Sequence, residues 1–504
     1  MKRLFLNISM LATIAIGGNG CAKFLDEKPL TEVETNKYFK SAKDITAAMA
    51  GVYASFQQEM TGAGSGSTWG KYVFWGEARG DNYDRTQYNF AHAVEIASNG
   101  LSSSNAAANW SGLYRTIGRA NNCIKYIPQV PQFDRTATKQ VIDGNLAQSY
   151  AMRAMCYFWI VRIWGDAPIW LEPYTDVAEE PNRAREKAED IYTKVIIPDL
   201  LKAYDLIPKT ATPSQWHIGE GAICAMLADV YMTRKDPDNA MVWFNNLFKA
   251  KAPSGKVFTG QSAADLVPQA DWKKVFLNAN TNENIWSIHW DFTVNGCACL
   301  PNSLYHSNSP LQIDSAVMTD WQAIQATDFR ARQTVDFAAS LRDRMQKYYA
   351  VPATGTIDWG AAKTKELPVY LVMYRLTDMM LLYAEAANQK DDMATALKWL
   401  NIVRTRAGLP AFLEGADTLS TKAKMENLLL NERRWELFGE GKRWFDLVRT
   451  GKAIEVMDPV LRRRQTRQWV PIVGWEGGTD KLLWPIHRTL IENNPLLKQN
   501  FPYN

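Results

Sequence analysis

Two stretches of this chain repeat one pattern, and that pattern limits the fold more than any other feature. Ala228 and Asp229 stand twelve residues before a block running from Ala240 through Trp243 and Phe244 to Asn245. Ala384 and Glu385 stand twelve before a matching block with Ala396, Trp399, Leu400 and Asn401. Small residues in this relation let two antiparallel helices approach closely, as in tetratricopeptide hairpins. Pro253 and Pro410 close the two copies. The flanking segments agree in type. Ile45, Met49, Val52, Tyr53 and Phe56 recur at helical spacing behind a Ser41-x-x-Asp44 cap. Residues Trp110 to Ile127 form a second helix, ended near Pro128. Gly144 to Trp164 is apolar almost all round, the pattern of a helix buried on most sides. Arg185 to Ile207 and Glu220 to Met232 follow as further helices. The expectation is a mostly α chain of several helical hairpins, split by an insertion.

That insertion, about 253–370, is richer in Pro, Gly and Asn and loses the helical period. Within it Trp286, Ile288, Trp290 and Phe292 alternate with Ser287, His289 and Asp291, a strand with one apolar face. A second irregular stretch runs from Gly62 to Leu101 and opens with Gly62, Gly64 and Gly66. Loops this long in a compact domain are usually functional or disordered. The 46% hydrophobic content suffices for a sizeable core, and a net charge of +4 predicts no strong field. Nucleic acid is therefore excluded as an expected partner. Arg462, Arg463 and Arg464 form the one notable basic run and read as a solvated loop.

Lys2 and Arg3 precede an apolar run from Leu4 to Ile16, then small residues and Cys21. This is a secretory signal, too short for a membrane helix. Gly18 and Gly20 suit an ordinary signal peptidase. The alternative, adopted here, resembles a bacterial lipoprotein signal over residues 1–20, with lipid on Cys21. Two or more acyl chains would anchor the chain stably, at about 0.8 kcal/mol per buried CH₂. The other five cysteines leave at least one thiol unpaired. Cys156 and Cys224 read as core residues, while Cys297 and Cys299 lack the second half of a zinc site. No metal and no cofactor is expected.

Four passages are similar to the SusD/RagB family of outer-membrane nutrient-binding lipoproteins. The first is Cys21, then Phe24 to Pro29, and a helix reaching Gly51, Val52 and Tyr53. The second is Arg153 to Pro168. The third, and the most specific, is NERRWELFGEGKRWFDLVRTGK from Asn431 to Lys452. The fourth is the tail from Leu483 to Asn500. The resemblance covers residues 21–504 as a single domain. It implies about four tetratricopeptide-like hairpins in a frame over about 36–252 and 371–452, with the loop-rich insertion between. It further implies a cell-surface, lipid-anchored binding protein in the outer membrane that presents a glycan to a TonB-dependent, SusC-like transporter. A peptide-binding member of the same family is the alternative ligand class.

The catalytic inventory is poor in its own right. None of the five histidines lies in H-E-x-x-H or pairs with another at helical i, i+4 spacing. Glu432 and Glu436, one turn apart, invite comparison with a glycosidase pair, which needs two carboxylates about 5–9 Å apart across a cleft. Arg433, Arg434, Lys442 and Arg443 crowd the same segment and lower carboxylate pKa values, which suits ion pairing and spoils a general acid. A hydrolase and a scaffold that binds only protein stand as competing readings.

Binding is better provided for. A sugar presents an apolar C–H face to an aromatic ring and hydroxyls to polar side chains. Trp69, Tyr72, Trp75, Asp81, Asn82 and Tyr83 interleave both kinds of residue. Phe74 and Trp75 also fit a short core strand, and Asp81 and Asn82 also fit a turn. In the insertion, His289, Trp290 and Tyr305 are added as candidates; Trp290 shares a face with Ile288 and so also fits the core.

Overall fold

The computed structural model describes residues 38–504 except 63–69, 89, 175–177, 210, 278–279, 291–309, 339–344, 350–368, 416–420 and 504. Cys21 and the residues read as a signal lie outside the described residues, as do Trp69, Cys297, Cys299 and Tyr305.

The frame begins with α1 (Ala42–Thr61), where Ser41 and Asp44 form a reciprocal capping box. After the short α2 (Lys71–Gly76) and strand β1 (Tyr83–Arg85) come α3 (Ser111–Tyr126) and α4 (Lys139–Trp164). Helix α5 (Ile197–Leu206) continues from a π-helical turn, Tyr192–Ile196. Pro198 has no N–H to return to the preceding turn, and the wider turn accommodates that loss. Then follow α6 (Glu220–Thr233) and α7 (Pro237–Leu247). Beyond strands β2 (Asn284–Trp290), β3 (Leu311–Ile313) and β4 (Val369–Arg375) come α8 (Leu376–Gln389) and α9 (Met393–Arg406). Helices α10 (Lys422–Glu436), α11 (Arg443–Arg449) and α12 (Ala453–Gln468) complete the set used below.

Among the described residues the helices pack as four pairs: α1 with α3, α4 with α5, α6 with α7, and α8 with α9. Polar contacts confirm antiparallel pairing. Thr116 donates to Ser55 and Arg119 to the Gly51 carbonyl, so α1 and α3 run in opposite senses. The repeated alanines Ala228, Ala240, Ala384 and Ala396 are all buried, and Phe244, Tyr383 and Trp399 fill the seam between the third and fourth pairs. Helix α4 is buried on nearly every side from Ala151 to Trp164, as its unbroken apolar run requires. Helix α7 packs directly on α8, so the described residues between them are looped out from the stack.

That segment carries β2, β3 and β4, while β1 comes from the stretch after α2. β1 pairs antiparallel with β3, Tyr83 opposite Ile313. β2 pairs antiparallel with β4, His289 opposite Tyr370, with an irregularity around Trp286. A buried charge cluster fastens the segment to the frame. Glu436 on α10 receives Arg330 at 2.8 Å, Arg375 at 2.7 Å and Arg406. Glu432 receives Arg330 at 2.7 Å, Glu440 receives Arg375 at 2.8 Å and Glu283 receives Arg406 at 2.8 Å.

Two expectations are corrected. Phe74 and Trp75 lie on helix α2 rather than a strand. The helix sits so close to a neighbouring turn that a Cβ at Gly76 would lie 2.1 Å from the Gly441 carbonyl oxygen. Arg462, Arg463 and Arg464 are helical, not a solvated loop. Arg464 is buried, pairing with Asp314 at 3.0 Å and donating to the carbonyls of Ala97 and Tyr83. No helix among the described residues is long and apolar enough to cross a membrane.

Candidate functional site

The tryptophans separate by environment. Trp75, Trp164, Trp272, Trp286, Trp321, Trp444 and Trp484 are fully buried. Trp469 is 95% exposed, followed by exposed Val470, Ile472 and Val473, an apolar segment without the polar groups that a hydroxylated ligand needs. Trp216 differs from both. It is half-buried in the link between α5 and α6, against rings of two other elements.

That link is built by short polar contacts. The Ser214 hydroxyl accepts the Trp216 N–H at 3.2 Å, a turn stabilised by its own side chain. Gln215 is buried; its carbonyl accepts the Ser287 N–H of β2 at 2.8 Å, and its side chain accepts the Asn280 N–H at 2.9 Å. The link is thereby stitched to the strand. Trp216 then meets His289 of β2 at 4.8 Å and Tyr370 of β4 at 4.5 Å between ring centroids, edge to face in both cases. His289 and Tyr370 are cross-strand partners with their rings 5.6 Å apart. All three rings are half-buried. Gln57 of α1 donates to the His289 carbonyl, holding the strand against the frame.

On the other side, Tyr53 of α1 faces His217, ring centroids 5.2 Å apart. Its hydroxyl donates to Gln148 at 2.7 Å and accepts the Ile218 N–H at 2.9 Å, and burial pushes its pKa up. Behind His217 lies a cleft of about 240 Å³, lined in part by Gln148, Pro208, Lys209, Pro213 and Glu220. Three half-exposed aromatic planes beside amide, hydroxyl and imidazole groups can stack on a sugar face and bond its rim.

Most of the residues expected from the sequence lie elsewhere, and their assignment to ligand contact is corrected by burial. The Tyr72 hydroxyl donates to the Val372 carbonyl at 2.7 Å within the core. The Trp75 indole donates to the Ala107 carbonyl at 2.8 Å and packs edge-on to Trp164. Asp81 accepts Arg443 through two bonds, at 2.7 and 2.9 Å. Burial raises its pKa, but Arg443 and Arg434 outweigh that and hold it well below the usual carboxylate range. Asn82 donates to Glu77 and accepts from Arg434; Tyr83 packs on Phe438 at 5.1 Å. All five are buried, so none presents a free face to a passenger. The glycines around them mark close backbone approach instead. Of the nine, the structure brings His289 into the aromatic cluster. The Trp290 backbone pairs with Val369 at the same strand end.

The two glutamates weighed as a hydrolytic pair are held in the charge cluster. Burial alone would raise the pKa of Glu436, yet Arg406, Arg375 and Arg330 keep it well below the ordinary range. No group of three His, Cys, Asp or Glu residues that could hold a metal ion occurs among the described residues.

Two family profiles match the chain. One, described as the SusD family, covers residues 318–503; the other, described as starch-binding and associating with the outer membrane, covers residues 23–232. The chain belongs to the SusD family. A SusD-like protein P38 of Formosa agariphila is 25% identical, over 99% of both chains. Among solved structures, NanU of B. fragilis superposes with a TM-score of 0.72 at 17% identity, covering 95% of this chain and 100% of that one. A laminarin-binding SusD-like protein superposes with a TM-score of 0.70 at 20% identity, covering 92% of this chain and 100% of its own. At these identities the superpositions establish the SusD-like fold, with its tetratricopeptide-like helices.

Within this SusD-like chain, sequence reasoning missed Trp216 and Tyr370. A signal for Trp216 was present: it follows Pro213, Ser214 and Gln215 in a polar link between two helices, where a core role is disfavoured. Tyr370 carried none, because its neighbours read as an apolar strand.

Proposed function

We propose that this SusD-like protein captures a nutrient glycan at the cell surface and passes it unaltered to a TonB-dependent, SusC-like transporter. The chain is held against Trp216, His289 and Tyr370. The observation that carries this reading is the half-exposed three-ring cluster flanked by Ser214, His217 and Gln57. A relative of the same fold is named for binding laminarin, which favours carbohydrate over peptide. The reading is non-enzymatic, and it is supported by the commitment of Glu432 and Glu436 to arginines, which leaves neither as a proton donor. Lipid on Cys21, after removal of residues 1–20, is the proposed anchor, and residues 21–504 are the proposed working unit.

A few stacking contacts less the ordering costs give Kd values on the order of µM to mM. That is adequate for a repeating polymer, because many sites engage at once. Tryptophan fluorescence titration with neutral, acidic and sulfated glycans tests the reading. Trp216→Ala abolishes the response while circular dichroism stays unchanged, and no reducing ends are released on prolonged incubation. Silence across the whole panel, or an unaltered response in Trp216→Ala, refutes it. Peptides that bind where every glycan fails transfer the site to the alternative ligand class.

A further inference from the structure

The cleft behind His217 differs in chemistry from the aromatic patch. It is about 240 Å³, room for one pyranose ring, with Ile207, Pro208 and Pro213 forming an apolar wall. The charged lining is two lysines and one glutamate. Lys209 stands exposed at the mouth; its ammonium lies 4.3 Å over the Tyr204 ring and donates to the Tyr204 carbonyl at 2.9 Å, contacts that set its position. An ammonium carries three donors, so these contacts do not exhaust it. Lys251 lines the same cleft. The single carboxylate there is Glu220, whose pKa burial raises while the Lys209 charge offsets part of the rise. Gln148, Ser214 and His217 add neutral groups suited to hydroxyls.

The cleft and the patch share one short link. Trp216 and His217 are neighbours, about 3.8 Å apart along the backbone. Trp216 turns to His289 and Tyr370, whereas His217 faces Tyr53 and lines the cleft. The two sites therefore adjoin through one dipeptide.

We propose that this cleft is a subsite for an acidic sugar residue, one bearing a carboxylate or sulfate group, whose charge lies between Lys209 and Lys251. The proposal rests on the glycan reading of the patch and adds the charge class of the ligand. Two ammonium groups against one carboxylate favour an anion, and the apolar wall takes the ring that carries it.

Titration calorimetry on the full chain in detergent micelles tests it, with three probes: a galacturonic acid oligomer, a sulfated galactose oligomer and the neutral galactose oligomer of equal length. The unsubstituted protein binds at least one acidic oligomer about tenfold more tightly than the neutral one, and raising salt narrows the gap. The double variant Lys209→Met, Lys251→Met removes that preference and leaves the neutral oligomer within twofold. Which acidic oligomer gains more identifies carboxylate or sulfate as the group. Trp216→Ala weakens all three together. Equal affinity for acidic and neutral oligomers, or a preference that survives the double variant, overturns the subsite and leaves the glycan reading intact. Failure of every oligomer to bind overturns both.

Discussion

Replacing Glu77 by glutamine isolates the pH dependence of one buried group. Glu77 is fully buried at the end of α2, where its two oxygens accept the Asn82 amide at 3.0 Å and the Lys442 N–H at 3.2 Å. Burial raises its pKa from 4.5 to about 7, and the two hydrogen bonds with the charges of Lys347 and Arg443 offset only part of that rise. A carboxyl that holds its proton more tightly in the folded state stabilises the fold while protonated. The contribution is complete below the unfolded value near 4.5 and is lost as the pH climbs through 7. At 1.36 kcal/mol per unit, the rise corresponds to about 3 kcal/mol. Urea denaturation at half-unit steps from pH 5 to pH 8 measures it. Relative to the protonated form of the unsubstituted protein, Glu77→Gln costs about 1 kcal/mol, because its NH₂ must face one of two donors. From pH 5 to pH 8 the unsubstituted protein loses about 3 kcal/mol relative to the variant, so the variant passes from about 1 kcal/mol less stable to about 2 kcal/mol more stable. Parallel stability curves would refute the reasoning, since they would place a carboxyl of ordinary affinity at this site.

Other perturbations test the frame. Glu436→Gln leaves Arg330, Arg375 and Arg406 short of a shared counter-charge and lowers stability by about 3–5 kcal/mol, read as a fall in the urea midpoint; a loss under 1 kcal/mol counts against the clamp. Gly76→Ala drives a methyl into the Gly441 backbone at 2.1 Å and costs about 1–3 kcal/mol, visible as a lower Tm. Gly118→Ala in α3 is the control, because a Cβ there meets nothing within 4 Å; it raises stability by about 0.5–1 kcal/mol through helix propensity.

Local signals in this sequence were read well where short-range physics decides. The Ser41 and Asp44 cap, the alanine-spaced hairpins and the Trp286 strand each follow from neighbours within about a dozen residues. The ion pairing of Glu436 was also legible, because some of the crowding charges lie on its own segment. Its actual partners Arg330, Arg375 and Arg406 come from elsewhere in the chain and were not. Arg464 shows the same gap: its burial depends on Asp314, 150 positions away, so the basic run looked like a solvated loop. Two members of the proposed binding cluster, Trp216 and Tyr370, were missed for the same reason. Trp216, His289 and Tyr370 come from three separate segments, and only the folded register of β2 and β4 sets them together. Tyr72, Trp75 and Tyr83 were candidates because aromatic and polar residues interleave there, whereas the neighbouring glycines let backbones press close and seal the rings inside.

The arginine clamp on Glu436 has a mechanical corollary. Arg330 and Arg375 arise in the looped-out segment, Arg406 in the helical stack, and all three meet one carboxylate in the dry interior. Swinging that segment away from the stack would strand several naked charges together, a barrier far above thermal energy. Any large displacement therefore carries that segment and the stack together, like a door moving on its frame rather than bending across its panel.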